Sequence, residues 1–439
     1  MNQKTAEATA LDAKTIRELH AKYLFPAVIN YYQESLPLVR GKGTRLWDAD
    51  GREYLDFFGG ILTVSLGHCD DEVNEKVKAQ VDTLQHASTL YPTPPLVLLA
   101  KRLAEIAPGD LSQSFMTSSG TEADETAIML AKIATGQQEV IVQRHAYSGR
   151  SHLNTSLMGH GPWRPLPSQV PGVKHIHAPY CYRCPFKLTY PSCDLACARD
   201  MKELIETTTN GKPAAFMAEP ILGVGGFVTP PKEYFQVAVS ILKEHGGLFI
   251  ADEVQTFART GEKWFGIEQF GVTPDIITMA KGLANGVPIG ATITRPDIAK
   301  KWTSLTLSTF GGNPVSCVAA TATIDAIDER GLLHNAAVMG ARLREGLLAL
   351  QEKYPLIGDV RGMGLMQAIE LVEDRKTKVP ARKGIAALSE EARKLGLLIG
   401  KGGLYGSVVR VTPPLNVTQE ELDRGLALLD KAFAAASRA

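Results

Sequence analysis

Apolar and polar positions recur with two periods along the chain, and the switch between them marks out its elements. Between residues 12 and 35, Ile16, Leu19, Tyr23 and Leu24 follow the three- and four-residue spacing of an amphipathic helix. Arg45 to Asp48 and Glu53 to Asp56 flank a turn at Asp50-Gly51, which predicts a hairpin. Helical periodicity returns around Asp70 to Leu84 and Pro94 to Ile106. Ser114 to Thr117 then predicts a short strand and Ser118 to Thr121 a turn; from Glu122 onward, Ala123, Ala127, Leu130, Ala131 and Ala134 share one helical face. Short runs starting at Glu139, Ala214, Leu248 and Asp275 are almost wholly apolar, the pattern of strands buried on both faces of a parallel sheet. Beyond a helix from Pro314 to Arg330, helical segments at 332–353 and 380–395 alternate with strands near Gly364 to Val372 and Ser407 to Val411, an α+β arrangement. The whole predicts an α/β protein with one large and one smaller domain.

Length agrees with that division, since 439 residues can bury two cores. The 47 basic and 47 acidic residues cancel, which argues against a nucleic-acid partner or a polybasic membrane surface. No apolar stretch is as long as a membrane span, and the first 25 residues carry Lys4, Glu7, Asp12, Lys14, Arg17 and Glu18 in place of a signal-peptide core, so a cytoplasmic protein is expected. Four of the six cysteines, Cys181, Cys184, Cys193 and Cys197, follow C-x2-C-x8-C-x3-C. That spacing fits either a structural zinc or an ordered surface insertion with free thiols, and no catalytic metal is expected there.

The candidate chemistry lies where apolar runs end in a charge. Leu248 to Ala251 leads into Asp252, and Asp275 to Ala280 leads into Lys281. The carboxyl ends of parallel strands face the ligand crevice, and a buried carboxylate there calls for a fixed cation. The ring nitrogen of pyridoxal phosphate would meet that need, because this cofactor requires a lysine for its Schiff base and an acid to keep its ring nitrogen protonated. Taken alone, the two charges favour the plainer reading, in which they end their strands in solvent or form a structural salt bridge.

The wider pattern is more specific. IADEVQ at 250–255, TPDIITMAKGLANGVPIGA at 273–291 and STFGGNP at 308–314 occur in order, and nearly the whole chain resembles the class III aminotransferases of pyridoxal-phosphate fold type I. The resemblance implies a large domain with a mostly parallel seven-stranded sheet flanked by helices, and a smaller α+β domain built from both chain ends. Its expected division is 1–60 for the N-terminal helix and β-ribbon, 61–320 for the cofactor domain and 321–439 for the C-terminal domain. It further implies Lys281 and Asp252 as catalytic residues, with Ser119, Gly120 and Thr121 at the cofactor phosphate and Tyr147 stacked on the ring. Glu219, Val254 and Gln255 would surround the ring, and Thr309 would reach the phosphate of a neighbouring subunit's cofactor, so a homodimer or dimer of dimers is expected. Arg150 and Arg410 are the implied substrate-carboxylate binders.

One departure stands out. In the ornithine and 4-aminobutyrate enzymes a second glutamate, five residues after the one matching Glu219, switches off a substrate-binding arginine; here that position is Val224, and Leu222 stands where Gln is usual. The arginine is therefore expected to stay unpaired. The implied reaction moves an amino group from an amino acid (alanine, β-alanine or 4-aminobutyrate) to a 2-oxo acid such as pyruvate, glyoxylate or 2-oxoglutarate. The rival readings are a phospho-lyase acting on a phosphorylated amino alcohol and a non-catalytic binding protein of the same fold.

Overall fold

The computed structural model describes residues 11–167 and 169–436; the first ten residues, on which part of the leader reading rests, lie outside the described residues. Strands β1 (Leu38–Lys42), β2 (Arg45–Asp48) and β3 (Glu53–Phe57) form the N-terminal ribbon. Next come β4 (Gln113–Thr117), β5 (Val140–Gln143), β6 (Val173–Ile176), β7 (Ala215–Ala218), β8 (Leu248–Asp252), β9 (Ile276–Met279) and β10 (Gly290–Thr294). The C-terminal strands are β11 (Ile357–Met363), β12 (Met366–Leu371), β13 (Leu397–Gly402) and β14 (Val408–Val411).

One seven-stranded sheet runs β4-β10-β9-β8-β7-β5-β6. Its strands from β9 to β6 pair in parallel, while β10 is antiparallel to both of its neighbours, β4 and β9. Every residue of β5, β7 and β9 is buried, which is why these strands read as unbroken apolar runs. On one face the helix Gly120–Thr135 sets Ala127, Ile128 and Ala131 against Val140, Val142, Ala215, Met217 and Ile250. On the other face Phe216, Phe235, Phe249 and Phe270 belong to a second apolar layer, with Phe216 and Phe249 stacked 5.7 Å apart. Sandwiched in this way, the sheet presents the carboxyl ends of β4, β5, β7, β8 and β9 along one edge.

The second sheet, β1-β2-β3-β13-β14-β12-β11, contains strands from both chain ends. β3 pairs in parallel with β13, so the N-terminal ribbon continues the C-terminal sheet.

The first helix is shorter than its periodicity predicts. It spans Ala13–Tyr23, capped by Asp12 accepting from the Thr15 N–H, and Leu24 is already extended. Pro26 pushes the residue before it out of the helical region, and the apolar residues that prolong the pattern, Phe25, Val28 and Ile29, are exposed.

All six cysteines are free thiols, and among the described residues no group of three or more His, Cys, Asp or Glu side chains is placed to hold a metal ion. The cysteine-rich insertion is tied to the C-terminal sheet by charge. Fully buried Glu370 on β12 accepts from the Tyr180 hydroxyl and the Arg183 guanidinium, and from Arg361 Nη1 at 2.7 Å. Arg361 also donates from Nε to the Gly226 carbonyl at 2.9 Å. Changing Glu370 to Gln would leave the part-buried Arg183 without an anion and the buried Arg361 with Asp359 alone, at a cost of about 3 kcal/mol. A chemical-denaturation midpoint well below that of the parent protein is the expected result.

Candidate active site

The edge where the parallel strands end surrounds a cavity of about 390 Å³. Each strand end delivers one part of it. β8 ends in Asp252, 4% exposed, whose Oδ1 accepts from the Val254 N–H at 3.0 Å. β7 leads to Glu219, whose two oxygens accept from the N–H groups of Tyr147 at 3.0 Å and Gly223 at 2.8 Å. β5 leads into the loop that carries Tyr147 and Arg150, and β4 into the turn that opens the helix Gly120–Thr135.

β9 leads to Lys281 in a left-handed conformation, φ 41°, which a lysine adopts against a steric cost. The following turn is pinned to residues 65–67. Ser65 Oγ donates to the Gly282 carbonyl at 3.0 Å, and the Asn285 amide spans Leu66 N–H at 2.9 Å and Gly67 O at 3.0 Å. Gly282 is required there, since a Cβ would fall 2.6 Å from Ser65 Oγ. A second strained segment, Gly59 to Leu62, has φ between 58° and 66° at all four residues and precedes Thr63 on the cavity wall.

At the helix start Ser119 is the N-cap, its Oγ accepting from the Glu122 N–H at 3.3 Å, while the Ser118 N–H donates to Glu122 at 2.6 Å. The first-turn N–H groups and the positive end of the helix dipole make this turn suited to an anion. Gly149 fits tightly behind it, because a Cβ there would strike Thr121 Oγ1 at 2.3 Å.

The electrostatics follow from burial. Desolvation raises Asp252 to about 6, opposed by the Val254 hydrogen bond and by Lys281. Glu219 is pushed up to about 8 by desolvation and by the nearby Asp252. Desolvation lowers the Lys281 amine, against the pull of Asp252, Glu219 and Asp124. Among the described residues, nothing accepts a hydrogen bond from Lys281 and no carboxylate lies within ion-pair distance of it.

Ten of the residues expected from the sequence line this one cavity: Ser119, Gly120, Thr121, Tyr147, Arg150, Glu219, Asp252, Val254, Gln255 and Lys281. Arg410 and Thr309 do not. Arg410, on β14 and 4% exposed, is near enough to disfavour a charged Lys281. Its Nε donates to the Lys401 carbonyl at 3.0 Å and its Nη2 to Tyr31 Oη at 3.3 Å, and its guanidinium lies 4.7 Å from the Phe58 ring centroid. Nη1 is buried without a partner, and among the described residues no carboxylate pairs with Arg410. Val224, at the switch position, offers its carbonyl to the Gly403 N–H at 2.9 Å. Thr309 lies on an exposed turn.

Asp124 was not among the expected residues, yet it lines the cavity at 2% exposure. A charged residue on the same helical stripe as Ala127, Ile128 and Ala131 was the sequence signal for it.

The residues present fit pyridoxal phosphate. The Lys281 amine, the buried acid Asp252 and an anion-seeking helix start line one cavity, and Gln255 Oε1 is a buried acceptor without a donor, as a ring hydroxyl would require.

The chain matches the model of the family described as Aminotransferase class-III over residues 29–433. It is 42% identical over 417 residues to alanine–glyoxylate aminotransferase 2 homolog 2, mitochondrial, of Arabidopsis thaliana, covering 94% of this chain and 86% of that protein. It is 38% identical over 418 residues to the leucine/methionine racemase of Thermococcus litoralis, covering 94% and 93% of the two chains. Among solved structures it resembles a PLP-bound amine transaminase from an uncultivated Pseudomonas species, with a TM-score of 0.88 and 31% identity over 95% of this chain and 98% of that one.

Proposed function

We propose, for a chain that belongs to the class III aminotransferases, that the amino donor is alanine or an ω-amino acid such as β-alanine or 4-aminobutyrate, with glyoxylate, pyruvate or 2-oxoglutarate as acceptor. The protein is a pyridoxal-phosphate-dependent aminotransferase, which moves an amino group from an amino acid to a 2-oxo acid. The observation that carries the substrate reading is the unpaired Arg410 Nη1, buried and free of any carboxylate switch.

Bound pyridoxal phosphate supplies the electron sink for the charge left on the substrate carbon. Lys281 Nζ, its basicity lowered by desolvation, would take the proton from the amine-bearing carbon of the donor and pass it on within that half of the cycle, and in the second half would give a proton to the oxo-bearing carbon of the acceptor. Asp252 would hold the proton on the ring nitrogen. Gly120 and Thr121 would hold the phosphate at the helix start that Ser119 caps, while Tyr147 and Val254 would flank the ring. Gln255 would meet the ring hydroxyl, and Glu219 fixes the Tyr147 and Gly223 backbone. Arg410 grips the α-carboxylate, and Arg150, exposed at the mouth, meets a distal one.

Two copies would complete each site. Thr309 is exposed and does not line the cavity of its own chain, and beside it Leu305, Leu307 and Phe310 are 103%, 55% and 64% exposed, an apolar turn that a second copy would cover while bringing Thr309 to the partner's cofactor phosphate. No helix among the described residues is long and apolar enough to cross a membrane, and the free thiols fit a reducing compartment such as the cytosol.

The test is a matrix of alanine, β-alanine and 4-aminobutyrate against the three oxo acids, with phosphate release from a phosphorylated amino alcohol measured in parallel. Turnover with at least one carboxylate-bearing pair is expected. Phosphate release without oxo-acid consumption, or inversion of an amino acid without any acceptor, would overturn the substrate assignment. Changing Arg410 to Leu is expected to raise KM for carboxylate-bearing donors by about 100-fold, the loss of one to two charge-assisted hydrogen bonds, with a smaller effect on kcat.

A further inference from the structure

We propose that Asp124 works as a neutral carboxylic acid, a proton-bearing positioning residue that backs Asp252 and leaves Asp252 as the carboxylate meeting the ring nitrogen. This rests on the reading of the cavity as a pyridoxal phosphate site. Hydrogen-bond donors are unevenly shared among the acids of the cavity. Three acids share the cavity: Asp124, Glu219 and Asp252. Glu219 receives two backbone N–H groups and Asp252 receives one. Asp124 Oδ1 is buried and receives none; the Thr278 hydroxyl is close enough to favour a charged Asp124, yet it is not aligned to donate to it and is itself without a partner.

An ionised carboxylate accepts only, so a dry oxygen without a donor is a costly place for its charge. A protonated carboxyl in the same position has a hydrogen to give, and its uncharged oxygen loses far less by being unsolvated. Charge balance points the same way. Asp252 and Thr278 are paired residues on β8 and β9, so Asp124, coming from the helix that packs across both strands, faces a carboxylate and a neutral hydroxyl. Lys281 faces it from the turn after β9 and Glu219 from the loop after β7. Lys281 is a single amine among three acids, so the three cannot each be ionised beside a cation of their own. Burial and the neighbouring Asp252 both hold Asp124 well above the usual carboxylate range.

The experiment uses the cofactor-loaded protein and reads the pH midpoint at which the bound cofactor's absorption band changes. Asp124→Asn removes any charge but keeps a donor and nearly the same shape. If Asp124 is neutral, the midpoint stays within a few tenths of a pH unit of the parent protein. If Asp124 is ionised, removing a negative charge so close by lowers the midpoint by about one unit or more, and the proposal fails. Asp124→Leu removes the donor as well. A roughly tenfold fall in kcat is expected for it, with Asn recovering a substantial part of the loss; a Leu variant equal to the parent in kcat and midpoint would also overturn the positioning role. Absence of the cofactor band from the parent protein would instead defeat the underlying cofactor reading.

Discussion

Lys281→Ala is expected to lower amino transfer by about 10⁴-fold, the upper end of what a single proton-transfer group contributes, because this side chain both anchors the cofactor and carries the proton. The structure prepares the amine for both tasks. A lysine on a solvated surface is an ammonium ion and a poor nucleophile; here desolvation lowers its basicity, and no described residue takes a hydrogen bond from it. Asp252 and Glu219 attract it from a distance without capturing it in an ion pair. The left-handed backbone at Lys281 and the contacts of Ser65 and Asn285 with its turn fix where Nζ can reach. The alanine variant should still bind the cofactor through the helix start and Asp252, but borohydride should no longer fix it to the chain. Small added amines should restore part of the rate by standing in for the missing base. Turnover within tenfold of the parent would mean that another group moves the proton.

How much of this was legible in the sequence depended on what each element does with its two faces. β5, β7, β8 and β9 were readable because strands covered by helices on both sides have no reason to alternate, and their apolar runs end where Asp252, Glu219 and Lys281 meet the crevice. β10 was not, since Gly290-Ala291-Thr292-Ile293-Thr294 is small and mixed in polarity although every position is buried. Its threonines are satisfied inside, Thr292 donating to the Ala123 carbonyl and Thr294 to the Asp275 carbonyl, each at 2.8 Å, and such pairing is invisible to a hydropathy pattern. The edge strand β6 and the C-terminal strand β13 were missed for a related reason: β6 is half-buried, and β13 breaks its own run with glycines at 400 and 402. The N-terminal helix was read too long because apolar residues continue past Pro26, where spacing alone cannot show that the chain has left the helix. Within the site, motif order carried ten residues to one cavity. Asp124 escaped because an acid in the second turn of a helix ordinarily reads as a solvated surface residue, and only the packing of that helix across β8 and β9 reveals which way it faces.

Asp252→Asn is expected to lower kcat by about 10³-fold or more while changing KM little, because the interaction it removes strengthens as negative charge flows into the ring. Asparagine preserves the shape of Asp252 and can keep its hydrogen bond from Val254, but it cannot stabilise a positive ring nitrogen. A cofactor analogue with a permanently cationic ring nitrogen should therefore recover part of the lost rate, whereas damage to the fold would not be repaired in this way. The pH dependence of the cofactor-free protein gives a second reading with a fixed sign. Burial raises Asp252 from 3.8 to about 6, so the folded protein holds this proton more tightly than the unfolded chain does. The advantage is full below the unfolded value and is lost as pH rises from about 4 towards 6. The asparagine variant lacks this contribution, so its stability should fall less steeply with pH across that interval. Parallel melting curves for the two cofactor-free proteins would show instead that the carboxyl at 252 titrates alike in the folded and unfolded chain. An acid so easily kept charged would not be held in the dry, partner-seeking state that the ring nitrogen is needed to satisfy.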